Sequence, residues 1–134
     1  MGPSPSQPEF FLDRSLGAHD VAAALRAAGW LLRTHLEVYG GRDQHVEDVE
    51  WLELCGREGW PVLTKDGRIR YRPAELDAIR NHRVQAFALG SGNLTAAEQA
   101  ALVERHREAI ERACQTPGPF LYTVNAAQLR HVIP

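Results

Sequence analysis

A chain of 134 residues is long enough for one hydrophobic core and too short for two. Apolar residues make up 44% and charged residues 24%, near the averages for soluble globular proteins, which argues against wholesale disorder. A formal net charge of -2 excludes a global electrostatic pull toward nucleic acid, so any polyanion site has to come from a local cluster of basic side chains.

The opening MGPSPSQPE has neither the basic start nor the apolar middle of a signal peptide, and no apolar run approaches the roughly 18 residues of a membrane span. Cys55 and Cys114 form no CxxC pair, so a disulfide framework is not expected, and the chain reads as cytoplasmic. Residues 1–8, rich in Pro and Ser with nothing apolar to bury, are expected to form a flexible tail, and 9–134 a single domain.

From Glu9, EFFLDRS predicts a short strand ending in Asp13. A first helix follows with Val21, Ala24, Leu25 and Ala28 on one face, stopping at Gly29. WLLRTH at 30–35 predicts a second strand, and LEVYGGRDQ a loop broken by its Gly-Gly pair. In HVEDVEWLELCGREGW, Val49, Leu52 and Cys55, with Trp51 as a further candidate, recur at helical spacing, acids crowd the first turn, and Gly56 or Gly59 ends the helix. WPVLTKD is apolar on successive residues, as a parallel strand covered on both faces would be.

Pro73 opens a third helix, PAELDAIRNH, where its missing N–H costs nothing. RVQAFALG predicts a fourth strand. NLTAAEQAALVERHREAIERACQ predicts one long helix, with Thr95 and Glu98 as a capping box and Leu102, Val103, His106, Ile110 and Ala113 as its apolar stripe. FLYTVN, after PGP, predicts a fifth strand or edge segment. Strands alternating with helices predict a mainly parallel α/β sheet with helices on both faces, because parallel strands are joined by right-handed crossovers.

In open α/β sheets ligands collect at the carboxyl ends of the strands. Asp13 closes the first strand, Asp66 closes the third, and Asp48 lies in the first turn of the second helix beside Glu47 and Glu50. If the first and third strands are neighbours, their terminal carboxylates face each other across one or two strand spacings of about 4.8 Å. Three such carboxylates repel one another unless some are protonated or a cation is bound. A hard divalent ion, magnesium or manganese, suits oxygen ligands and activates water for attack on a phosphodiester. Arg68, Arg70 and Arg72 would then hold the phosphates of the substrate.

Each residue also has a plainer role. Asp66 before Gly67 fits the start of a turn, and Asp48, Glu47 and Glu50 fit the dipole of their helix. The alternating arginines fit the solvated side of an extended segment. The six histidines lack zinc-site spacing, LGSGN at 89–93 fits a simple turn, and Cys55, Cys114, Trp30, Trp51 and Trp60 fit packing roles.

The segments FFLDRSLG, DVEWLELCGREGWPVLTKDGRIRYRPAEL, FALGSGNLTAAE and PGPFLYTV, in this order and spacing, resemble the PIN-like domains of bacterial VapC-type toxins. The resemblance spans about residues 9 to 125. It implies a PIN-type α/β/α sandwich and a magnesium- or manganese-dependent endoribonuclease, the toxin of a toxin–antitoxin pair, which cleaves RNA, is restrained by a cognate antitoxin and often forms homodimers. Carried over by motif, Asp13, Asp48 and Asp66 are the metal-site acids, Glu50 a supporting acid, and Arg14, Lys65, Arg68 and Arg70 contacts to RNA phosphate. The chain departs from the pattern after the fourth strand, where many members carry a further acid and ALGSGN offers Ser91 and Asn93.

Two other classes stay open. One is a catalytically weak PIN-like module that binds protein or RNA. The other is a receiver-like domain with a phosphoryl-accepting Asp, disfavoured by the single acid in LDRS and by the absence of lysine from the C-terminal half.

Overall fold

The structure is a computed structural model that describes residues 7–17, 19–65, 69, 71–90 and 93–133. The described residues build a six-stranded sheet in the order β2-β1-β3-β4-β5-β6. Its strands are β1 (Glu9–Leu12), β2 (Leu31–Thr34), β3 (Val62–Thr64), β4 (Gln85–Leu89), β5 (Phe120–Val124) and β6 (Leu129–Ile133). All neighbours run parallel except β5 and β6. The first and third strands are indeed adjacent, with Leu12 opposite Leu63.

Helices α1 (Asp20–Ala27), α5 (Ala96–Arg105) and α6 (Arg107–Ala113) cover one face, while α3 (Asp48–Glu58) and α4 (Pro73–His82) cover the other. Strand alternation sorts the core between them. Phe10, Leu12, Leu63, Phe87, Leu89, Phe120 and Val124 point to the α1/α5/α6 side, and Phe11, Val62, Ala86, Ala88 and Leu121 to the α3/α4 side. The expected α/β/α sandwich is therefore present, with β1, β3 and β4 in its centre. No helix of the described residues is long and apolar enough to cross a membrane.

Three local expectations are corrected and one is narrowed. LEVYGGRDQ is helical: α2 (His35–Tyr39) is followed by a 3-10 turn over Gly40–His45. The cause is a capping box, in which the Thr34 hydroxyl accepts from the backbone N–H of Glu37 while the Glu37 carboxylate accepts from that of Thr34, at 3.1 and 2.9 Å. The long C-terminal helix is interrupted at His106, whose backbone leaves helical values and whose Nε2 donates to the Asn125 carbonyl at 2.8 Å. The Thr95/Glu98 capping box at its start is as expected. β5 lies inside the sheet, because Asn125 accepts from the backbone of Ala127 and Gln128 and turns the chain back as β6. Val49, expected on the buried face, is exposed, whereas Trp51, Leu52 and Cys55 are buried as expected.

Gly59, with φ +74°, ends α3 in the left-handed region. Gly56 has a different task. A Cβ there would lie 2.3 Å from the backbone oxygen of His82, so the last turn of α4 lies against bare backbone of α3. Gly56→Ala is therefore expected to lower stability by about 1–3 kcal/mol despite the better helix propensity of alanine. Urea titration would show it as a reduced midpoint, and an unchanged midpoint would contradict the close crossing.

Candidate active site

Asp13 stands just past β1 on the central part of the sheet, held there by its backbone N–H donating to the Leu63 carbonyl at 3.0 Å. It caps a 3-10 turn at Arg14–Leu16 that folds Ser15 back over it. Ser15 Oγ and Thr64 Oγ1 both donate to Asp13 Oδ2 at 2.8 Å, and the Lys65 backbone N–H donates to Ser15 Oγ at 2.9 Å. Two strand ends and one turn thus fix a single carboxylate that is only 7% exposed. Burial pushes its pKa up, the hydroxyls of Thr64 and Ser15 and the backbone of Arg14 pull it down, and the negative charge of Asp48 pushes it up again.

Asp48 begins α3 and reaches toward the same cleft. Trp51 Nε1 donates to its Oδ1 at 3.0 Å and Arg72 Nη1 to its Oδ2 at 3.3 Å. Asp48 thus sits in the first turn of its helix, where a negative charge suits the dipole, and also on the cleft wall. The cleft, about 310 Å³, is lined by Asp13, Arg14, Ser15, His35, Val46, Asp48 and Arg72.

The other predicted residues fall in several places. Asp66, Arg68, Arg70 and Ser91 lie outside the described residues. Arg14 lines the cleft and donates to the Asp43 carbonyl at 3.2 Å. Lys65 is half-buried directly after β3. Glu50 is exposed beside Arg42, 3.3 Å away, and is not part of the cleft wall. Asn93 is exposed. Cys55 is buried, and burial pushes its thiol and that of Cys114 up, the latter to about 12.

Arg72, expected to hold substrate phosphate, lines the cleft and pairs there with Asp48, while Ser15, Thr64 and His35 join the site without having been singled out for it. Their signals were faint: a hydroxyl two residues after Asp13, another two before Asp66, and the T-H-L-E capping box that starts α2 at His35.

The family described as PIN like domain matches residues 8–91. A Mycobacterium tuberculosis protein named "Putative ribonuclease VapC45" is 36% identical over 124 residues, covering 92% of this chain and 90% of its own length. The chain is a PIN-like domain. No solved structure matches the chain significantly.

The PIN-like match ends at residue 91 and so contains Asp13, Asp48 and Asp66, while β5 and β6 complete the sheet beyond it. Among the described residues no three His, Cys, Asp or Glu side chains gather closely enough to hold a metal ion. Asp13 and Asp48 supply two carboxylates to one polar cleft, and the charge of Asp48 raises the cost of charge on Asp13. That all-oxygen donor set fits a hard divalent cation.

Proposed function

We propose that this PIN-like domain, taken as one unit over 9–134, is an endoribonuclease toxin of a toxin–antitoxin pair, acting in the cytoplasm on RNA and restrained by a cognate antitoxin. The observation that carries the proposal is Asp13, buried at the carboxyl end of a central strand, oriented by Ser15 and Thr64, and facing Asp48 across a polar cleft. The 36% identity to a protein named a ribonuclease supports it.

Asp13, Asp48 and Asp66 would hold magnesium or manganese, which when bound supplies an activated water and stabilises charge on the transferring phosphoryl group. Ser15 and Thr64 hold the Asp13 carboxylate so that its oxygens need not reorganise when charge develops. Arg14, on the cleft wall, offers a guanidinium to RNA phosphate, with Lys65, Arg68 and Arg70 following in the chain. Glu50, one turn-face away and beside Arg42, would support the acidic field without touching the substrate.

One observation favours the catalytically weak binding module. Arg72 pairs with Asp48 at 3.3 Å, so the protein itself supplies a counter-charge to this carboxylate. A single experiment separates the two. Purified protein is expected to cut RNA with magnesium or manganese and to stop in chelator, and Asp66→Asn is expected to lose cutting while keeping its circular dichroism spectrum. Intact RNA under both metals, with no heat of metal binding by calorimetry, would leave the binding module standing.

A further inference from the structure

His35 follows β2 as Asp13 follows β1. Leu12 and Thr34 are register partners in that parallel pair, so Asp13 and His35 leave neighbouring strands side by side, about 4.8 Å apart in strand spacing. His35 lines the same cleft, yet it is only 2% exposed. Phe11 and Tyr39 hold its ring, with centroids 5.9 and 5.0 Å away. Nδ1 contacts Oδ1 of Asp43, which Arg14 in turn ties down through the Asp43 carbonyl. Nε2 forms no hydrogen bond among the described residues.

A carboxylate only accepts, so Asp43 places the proton on Nδ1 and leaves the lone pair of the neutral ring on Nε2. Packing alone does not explain this arrangement. A buried polar atom without a partner costs about 1–3 kcal/mol, and an apolar ring would fill the space without that cost. The geometry suits a nitrogen that receives its partner from the cleft.

We propose that His35 is a catalytic residue whose Nε2 is the general base for the water that attacks the phosphodiester. This rests on the nuclease reading above. The O–H bond of the water breaks and its proton goes to Nε2. The water oxygen forms a bond to phosphorus, the bond from phosphorus to the leaving ribose oxygen breaks, and that oxygen takes a proton from solvent. Asp43 stabilises the imidazolium so formed, as the carboxylate of a Ser-His-Asp triad does. The other charged groups on this wall are Asp13, Asp48, Arg14 and Arg72.

The test uses two variants of the full chain on RNA. Asp43→Asn preserves shape but removes the carboxylate charge that stabilises the imidazolium, and its amide, with an oxygen and an NH2 to present, no longer fixes the proton on Nδ1. His35→Ala opens a site for added imidazole. Both are expected to lose kcat by about 100-fold with KM unchanged, the usual scale for a general base, and imidazole is expected to restore part of the activity of His35→Ala. If the wild type cuts RNA and both variants cut at its rate, the His35 role falls and the nuclease reading stands. Activity lost in step with folded protein and unrelieved by imidazole marks a packing residue and overturns the role. RNA left whole by the wild type overturns both.

Discussion

Asp13→Asn is expected to cut RNA at background level, a loss on the order of 10³-fold if this carboxylate carries transition-state charge, while unfolding at a higher temperature than the wild type at neutral pH in chelator. The two halves have one cause. Burial holds the folded-state pKa of Asp13 above its ordinary value, so the native state carries a carboxylate that the unfolded chain would hold more cheaply. The sign follows from proton linkage. Between the unfolded and folded pKa values the native state binds more protons, so stability falls as pH rises through that window, and the whole cost is present above it. Asparagine removes the charge and keeps an oxygen for the Ser15 and Thr64 hydroxyls. The gap between variant and wild type should be widest near pH 7 and close as pH drops through the carboxylate range. Added magnesium or manganese should narrow it from the other side, since binding to the native wild type stabilises it. Thermal melts across pH, with and without metal, measure all of this. A variant less stable than the wild type at every pH would contradict the origin assigned to the shift.

Trp51→Ala is expected to cost about 3–5 kcal/mol, the range for deleting a large buried aromatic side chain. Trp51 is 1% exposed and stacks on Phe11, with centroids 5.5 Å apart and planes 24° from parallel. It joins the sheet to α3 and also donates to Asp48 Oδ1. Trp51→Phe separates these roles in part, keeping a six-membered aromatic ring against Phe11 while removing the N–H and the five-membered ring that carries it. It should keep the larger part of the stability, losing about 1–3 kcal/mol with the hydrogen bond and the volume of the missing ring, and should weaken activity more than stability because Asp48 loses its anchor. Urea titrations and RNA cleavage on the two variants give the comparison. Equal stability losses in both would show that the N–H, not the stacking, holds the element in place.

The chain announces its sheet more clearly than its cleft. EFFL, PVLT and QAFAL are apolar on successive residues because both faces are covered, and β1, β3 and β4 sit centrally as such strands must. Pro73 and the Thr95 capping box mark helix starts because the cause is local. β6 was missed because LRHVI is half polar, as befits an antiparallel edge, and its only cue is the turn made by Asn125. The break at His106 was also missed. Its hydrogen bond goes to Asn125, 19 residues away, and no local pattern records that. In the cleft, the carboxylates at 13 and 48 stand out by chemistry. Ser15, Thr64 and His35 do not, because hydroxyls and lone histidines acquire meaning only when register sets them beside Asp13.

Gly56 has a consequence for the cleft that stability measurements do not register. It lies eight residues along α3 from Asp48, roughly 12 Å at the helical rise of about 1.5 Å per residue. The helix is therefore a lever with its fulcrum against the backbone of α4 and its load at the carboxylate. A side chain inserted at Gly56 is expected to push α3 away from α4 there and to shift Asp48, at the other end of the helix, relative to Asp13. Gly56→Ala is therefore expected to alter the cleft as well as the stability, which an RNA-cleavage assay on the variant would measure beside its urea midpoint.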